Sequence, residues 1–233
     1  MTGRHMNIIE SGYFFWILGF VIGQIYYLID APFFNEKPIR AFCYGVINLV
    51  VMMIGAKLMY IVENFVYVMQ HGVGFQGFSL YGAIFFQLLS CALISRIFKK
   101  DSGTVASFIV IPMILMLAFY RIDCLISGCC GGITAGGFKF PTQITESVFC
   151  LLLSSVFVAL THRKRLLRGQ CFAWYFVIYG AFRFAIEFVR VRTNLFWLIS
   201  LSHVWSLLAI AIGVLLILRG RARTDFRNDV EEV

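Results

Sequence analysis

Charge is what this sequence has least of. Only 14% of its 233 residues are Asp, Glu, Lys or Arg, while 60% are hydrophobic. A soluble domain carries about 25% charged and 45–50% apolar residues, so this chain lacks the polar surface to cover itself in water. That scarcity excludes an ordinary globular fold with one large buried core. The oily runs also lack the strict alternation of a membrane-barrel strand. Helices remain, because they satisfy their own backbone groups within lipid. No soluble domain, low-complexity tract or internal repeat interrupts the runs. No small-residue cleavage site follows the first run, so it reads as a span rather than a secretory signal. The net charge is +8, yet the basic residues lie in short segments between apolar runs. Nucleic-acid binding wants them on one solvated face, and that class is excluded too.

What the sequence has is a series of apolar runs near the roughly 20 residues that span a bilayer. They predict an all-α polytopic membrane protein, a single transmembrane domain over 1–233. Its seven helices fall at 11–29, 40–62, 77–98, 104–124, 143–161, 171–189 and 198–218. Lys37 and Arg40 follow the first run, and Arg96, Lys99 and Lys100 the third. Arg163, Lys164, Arg165 and Arg168 follow the fifth, and Arg219, Arg221, Arg223 and Arg227 the last. Cytoplasmic loops carry the excess of Lys and Arg, which predicts an outside N-terminus and a cytoplasmic C-terminus. The mixed-charge tail from Arg223 is expected to be irregular.

Six ionisable residues fall within the spans: Lys57, Arg121, Asp123, Glu146, Arg183 and Glu187. With the helix directions above, all six lie in the outer half of the membrane. At about 2.5–3.5 kcal/mol each the gross cost is roughly 15–20 kcal/mol, more than a marginally stable fold tolerates without compensation. They must therefore pair, or face a wet cavity or a ligand. Tyr179, Arg183 and Glu187 recur every four residues and share one helix face, with Arg190 close to the same stripe. A plain Arg183–Glu187 ion pair is one reading. Arg121 at similar depth on another helix offers a second, in which two arginines hold one anion, since guanidinium grips phosphate bidentately. Cations at headgroup depth in an outward-facing cavity suit an anionic phospholipid.

Five segments taken in order extend that second reading. GAKLMY (55–60), GFSLYG (77–82), RIDCLISGCCGG (121–132), PTQITE (141–146) and YGAFRFAIEFVR (179–190) resemble the motifs of bacterial phosphatidylglycerol–prolipoprotein diacylglyceryl transferases. The resemblance implies transfer of a diacylglyceryl group from phosphatidylglycerol to the thiol of a prolipoprotein cysteine at the bacterial plasma membrane, with release of glycerol 1-phosphate and no cofactor. It implies that Arg121 and Arg183 hold the phosphate and stabilise the leaving group, flanked by Glu187 and Tyr179. Tyr81 stands where the family carries a histidine, and Cys124 and Cys129 where it carries Asn and Glu. Lys57, Ser79, Gln143 and Glu146 lie within the matching motifs and are expected to line the substrate site. Displacing a phosphate ester from carbon needs the departing anion neutralised, and a thiol attacks only as thiolate, so a general base is expected nearby.

Other candidates stay open at this level. Cys43, Cys91, Cys150 and Cys171 read as small apolar filling. Cys124 with Cys129 or Cys130 suggests a disulfide or a membrane thiol oxidoreductase, and no fourth ligand with metal-site spacing accompanies them. His71 and His203 are the extracytoplasmic histidines that could replace the family base, beside Tyr81 itself, although a phenol is a weak base. A non-catalytic anionic-phospholipid binder or transporter would keep the arginines and dispense with the base.

Overall fold

A computed structural model describes residues 14–74, 77–128, 131–163, 170–191 and 199–231. These fold as two compact units. One is Tyr27–Ile109; the other combines the described parts of 1–26 and 110–233.

Within the first unit, α1 (Phe14–Asp30) contributes its last residues. α2 (Pro38–Glu63) begins on a proline, whose missing N–H is no loss in a first turn. A short α3 (Phe65–His71) follows, then α4 (Leu80–Phe98) and the first part of α5 (Ser102–Ile126). α5 starts behind Asp101, whose carboxylate accepts the Thr104 N–H at 2.9 Å, an N-cap bond. α2 and α4 cross closely because Gly82 has no side chain: a Cβ there would run into the Gly55 carbonyl and the Met59 Cβ. The core is aromatic, with Tyr44 edge-on to Phe98 and Phe108, and Tyr27 edge-on to Phe108. Lys100 bonds Glu36 at 2.8 Å, tying the α1–α2 connection to the α4–α5 connection.

The second unit takes the start of α1, the rest of α5, a two-stranded hairpin, and α6 (Thr142–His162), α7 (Gln170–Glu187) and α8 (Leu201–Glu231). Strands β1 (Thr134–Ala135) and β2 (Phe138–Lys139) pair antiparallel, Ala135 opposite Phe138. Gly136 and Gly137 have φ of 57° and 81°, the double left-handed conformation of a tight two-residue turn. α7 packs along α8.

The regular elements among the described residues are therefore helices apart from this hairpin, as an all-α reading expects, with differences. α2, α4, α5, α6 and α8 are long and apolar enough to cross a membrane. α1 is apolar over 17 described residues, and α7 has 18 residues with Arg183 and Glu187 among them. The sequence reading misses α3 and the hairpin. It extends the sixth helix to residue 189, whereas α7 stops at Glu187 because Arg190 leaves the helix to form a β-bridge with Gly132. It takes the tail for irregular chain, yet α8 continues to Glu231. This part of the tail is rich in charge and poor in Gly and Pro, which leaves nothing to stop the helix.

Candidate active site

The Tyr179–Arg183–Glu187 stripe of α7 faces inward, each residue no more than 3% exposed. The helix period alone places them so, one turn apart on one face. Opposite stands Glu146, in the first turns of α6 and equally buried. Tyr179 Oη donates to Glu146 Oε1 at 2.5 Å, and Arg183 Nη1 reaches Glu146 Oε2 at 3.3 Å. Arg121, near the end of α5, brings its Nε to the same Oε2 at 2.9 Å. Arg183 Nη2 reaches Glu187 Oε2 at 3.2 Å, and Arg190 Nη1 approaches that oxygen at 3.6 Å. Glu187 Oε1 accepts from Ser200 Oγ at 3.1 Å.

Three arginines and two glutamates make up this network, a surplus of one positive charge among its described members. Pairing lowers the cost of burying each charge, because leaving any of them unpartnered in a dry site is prohibitive. The arrangement differs in one respect from two arginines waiting around an open headgroup site. Glu146 already bridges them, and both side chains are 3% exposed. An opening lies on the Arg121 side, a cavity of about 230 Å³ lined by Arg121, Gln143 and Ser147 among apolar neighbours. Cys124 Sγ lies 4.0 Å from Arg121 Nη1.

Gly131, Gly132 and Ile133 of the signature lie against the end of α7. Gly132 sits so close to the chain that a Cβ would meet the Phe140 and Val189 carbonyls within about 3 Å. It bridges to Arg190 while Ile133 N donates to Val189 O at 2.9 Å and Val191 N to Gly131 O at 3.0 Å. The loop is thus stitched to the end of α7 beside Glu187. Asp123 stands apart from this network. Its Oδ1 accepts the Phe15 N–H at 3.1 Å, a bond that ties the end of α5 to the first described residues of α1.

This geometry is that of a buried cationic cluster with a small cavity at its side. A family model described as prolipoprotein diacylglyceryl transferase matches residues 3–219. The chain belongs to the prolipoprotein diacylglyceryl transferase family. It is 30% identical over 218 residues to the Clostridium perfringens protein named phosphatidylglycerol–prolipoprotein diacylglyceryl transferase 2, covering 82% of this chain and 84% of that one. It is 30% identical over 204 residues to the enzyme so named from Clostridium tetani, covering 78% and 80%. Over 195 residues it is 30% identical to that of Dehalococcoides mccartyi, covering 73% and 74%. It is accordingly a member of an enzyme family of transferases.

Of the residues expected to form the transferase site, Arg121, Arg183, Glu187, Tyr179 and Glu146 meet in one network, and Gln143 lines the cavity next to it. Cys129 and Cys130 lie outside the described residues, and with them the pairing of Cys124 with either. Lys57, Ser79 and Tyr81 belong to the Tyr27–Ile109 unit. There Lys57 Nζ donates to the Gly74 and Gly77 carbonyls at 2.5 and 3.3 Å and stands over the Phe78 ring, 5.1 Å from its centre. Ser79 N donates to Ala56 O at 2.9 Å, so the GAKLMY and GFSLYG motifs hold each other. Tyr81 is 3% exposed and packs against Phe85. His71 stacks on Tyr67 at the exposed end of α3.

Two participants escape the sequence reading. It leaves out Ser200 and takes His203 only as a replacement base, yet both join the network through Glu187. The available signal is SLSH at the start of an apolar run, a Ser followed three residues later by an acceptor side chain, the outline of a capping box.

Proposed function

We propose that this chain transfers the diacylglyceryl group of phosphatidylglycerol to the thiol of a prolipoprotein cysteine, releasing glycerol 1-phosphate. The C–S bond forms as the bond between the diacylglyceryl carbon and the phosphate oxygen breaks. The electron pair leaves on the phosphate, and the thiol proton goes to a base. What supports the reading, beside family membership, is the meeting of Arg121 and Arg183 on one carboxylate oxygen with a cavity at Arg121. The surplus positive charge of the network matches the single negative charge of a phosphodiester. In this reading the phosphate enters beside Arg121 and takes over part of the hold that Glu146 has on it. Arg183, kept in place by Glu146 and Glu187, then neutralises charge developing on the departing oxygen. Fixed cations in a dry site stabilise such charge far better than water does.

Gln143 and Cys124 border the headgroup in this reading, and Tyr179 holds Glu146. The resemblance assigns Tyr81 to catalysis and Lys57, Ser79 and Cys129 to substrate binding, with Tyr81→Phe as the test of the first. We also infer seven spans, an outside N-terminus, a cytoplasmic C-terminus and residence in the bacterial plasma membrane, with α1 and α7 crossing beside the five longer helices. The Lys100–Glu36 pair supports this, since it joins two connections that the charge pattern assigns to one side.

The test is mass analysis of products from phosphatidylglycerol and a lipobox peptide, parent against Arg183→Ala. Thioether-linked peptide and glycerol 1-phosphate from the parent alone are expected. A parent that binds phosphatidylglycerol and releases no glycerol phosphate would instead be a lipid binder.

A further inference from the structure

His203 is a buried imidazole, 1% exposed, to which the reaction above gives no part. Its ring packs against both Phe184 and Phe188 at the α7 end, with centroids 4.9 and 4.6 Å away. Its Nδ1 accepts the Ser200 N–H at 3.0 Å and lies 3.0 Å from Ser200 Oγ. Ser200 immediately precedes α8 and His203 is three residues on. The imidazole therefore returns the bond that a Glu or Gln makes in a capping box. The Ser200 hydroxyl gives its own hydrogen to the neighbouring helix end, donating to Glu187 Oε1 at 3.1 Å. An Nδ1 that accepts carries no proton, which puts the hydrogen of the neutral ring on Nε2.

We propose that His203 is a positioning residue for Arg183, acting through Ser200 and Glu187. His203 holds the Ser200 backbone, Ser200 occupies one oxygen of Glu187, and the other oxygen is thereby aimed at Arg183 and Arg190. The chain of contacts crosses from the first turn of α8 to the last turn of α7, so the helix start orients the guanidinium without touching substrate. Its catalytic consequence rests on the function proposed above, while the contact chain itself does not.

Two measurements on the full-length protein in phosphatidylglycerol-containing nanodiscs test it. The first is the 15N resonance of His203 in histidine-labelled protein, assigned among four histidines by its loss in His203→Gln. An unprotonated Nδ1 is expected; a protonated one overturns the arrangement. The second is glycerol phosphate release with a lipobox peptide. His203→Leu and Ser200→Ala should each lower kcat about tenfold, with KM for phosphatidylglycerol within about twofold, the mark of an interaction used in the transition state. The double variant should be no slower than either single one, since both act through Glu187. His203→Gln, which can accept the same N–H, should recover most of the loss. Failure of Gln to rescue, multiplied losses in the double variant, or a loss carried by KM would each overturn it. A parent without turnover counts against the transferase reading and leaves the resonance to decide this one.

Discussion

Arg121 and Arg183 share a single carboxylate oxygen. Glu146 Oε2 lies 2.9 Å from Arg121 Nε and 3.3 Å from Arg183 Nη1, with Tyr179 on the other oxygen. Two like charges at that distance repel strongly unless an anion sits between them, and in this structure the anion is the protein's own. In the proposed reaction a substrate phosphate meets arginines already aligned, which lowers the reorganisation needed as charge builds on the leaving group.

Removing that shared anion should unbalance the whole network. Glu146→Ala leaves two buried guanidinium groups short of a partner, and breaking a buried pair from one side costs about 3–5 kcal/mol. Arg190, the most exposed cation of the group and 3.6 Å from Glu187, should cost under about 1 kcal/mol when changed to Ala. Thermal unfolding in detergent compares the two, and equal losses would argue against the central place of Glu146.

Arginine at 183 should not be replaceable by lysine. Arg183→Lys keeps the charge, but one ammonium cannot reach both Glu146 and Glu187 as the planar fork does. A fall in turnover on the order of 100-fold is expected, the scale of losing one transition-state donor. Steady-state release of glycerol phosphate measures it.

The signature glycines should differ among themselves. Gly132→Ala pushes a methyl into two carbonyls and a backbone-linked Cβ, which separates the loop from the end of α7, and overpacking of this kind costs about 1–3 kcal/mol. At Gly131 the nearest atoms belong to the flexible end of Lys139, so Gly131→Ala should be nearly neutral. Paired melting curves and activities decide, and a tolerated Gly132→Ala would contradict the close approach.

Asp123 should matter for stability more than for turnover. Asp123→Ala removes the acceptor for the Phe15 amide, and a hydrogen bond to a charged group is worth about 1.5–3 kcal/mol. The expected result is a lower melting temperature with KM for phosphatidylglycerol unchanged. A rise in KM without destabilisation would place Asp123 in the lipid site instead.

Much of this is legible without coordinates. The apolar runs follow from composition and length, and the Tyr179–Arg183–Glu187 stripe follows from the helical period, because both are local properties of the chain. The motifs around Arg121 and Glu146 point to the family, and that expectation holds. The hairpin is present as Gly136–Gly137 between short apolar stretches, a signal hidden by the expectation of helix everywhere. Short α3 is invisible because seven residues hold too few turns to show a period.

What the sequence determined by itself is a helical, oil-facing protein that cannot leave its few charges alone, since isolated charges in lipid are too costly to keep. It determined which residues of α7 share a face. Which partners answer them came from helix packing: Glu146 between two arginines, Ser200 and His203 behind Glu187, Asp123 turned to α1 instead. Those choices depend on how helices distant in sequence are set against each other and on which rotamers then meet, and no local period carries that information.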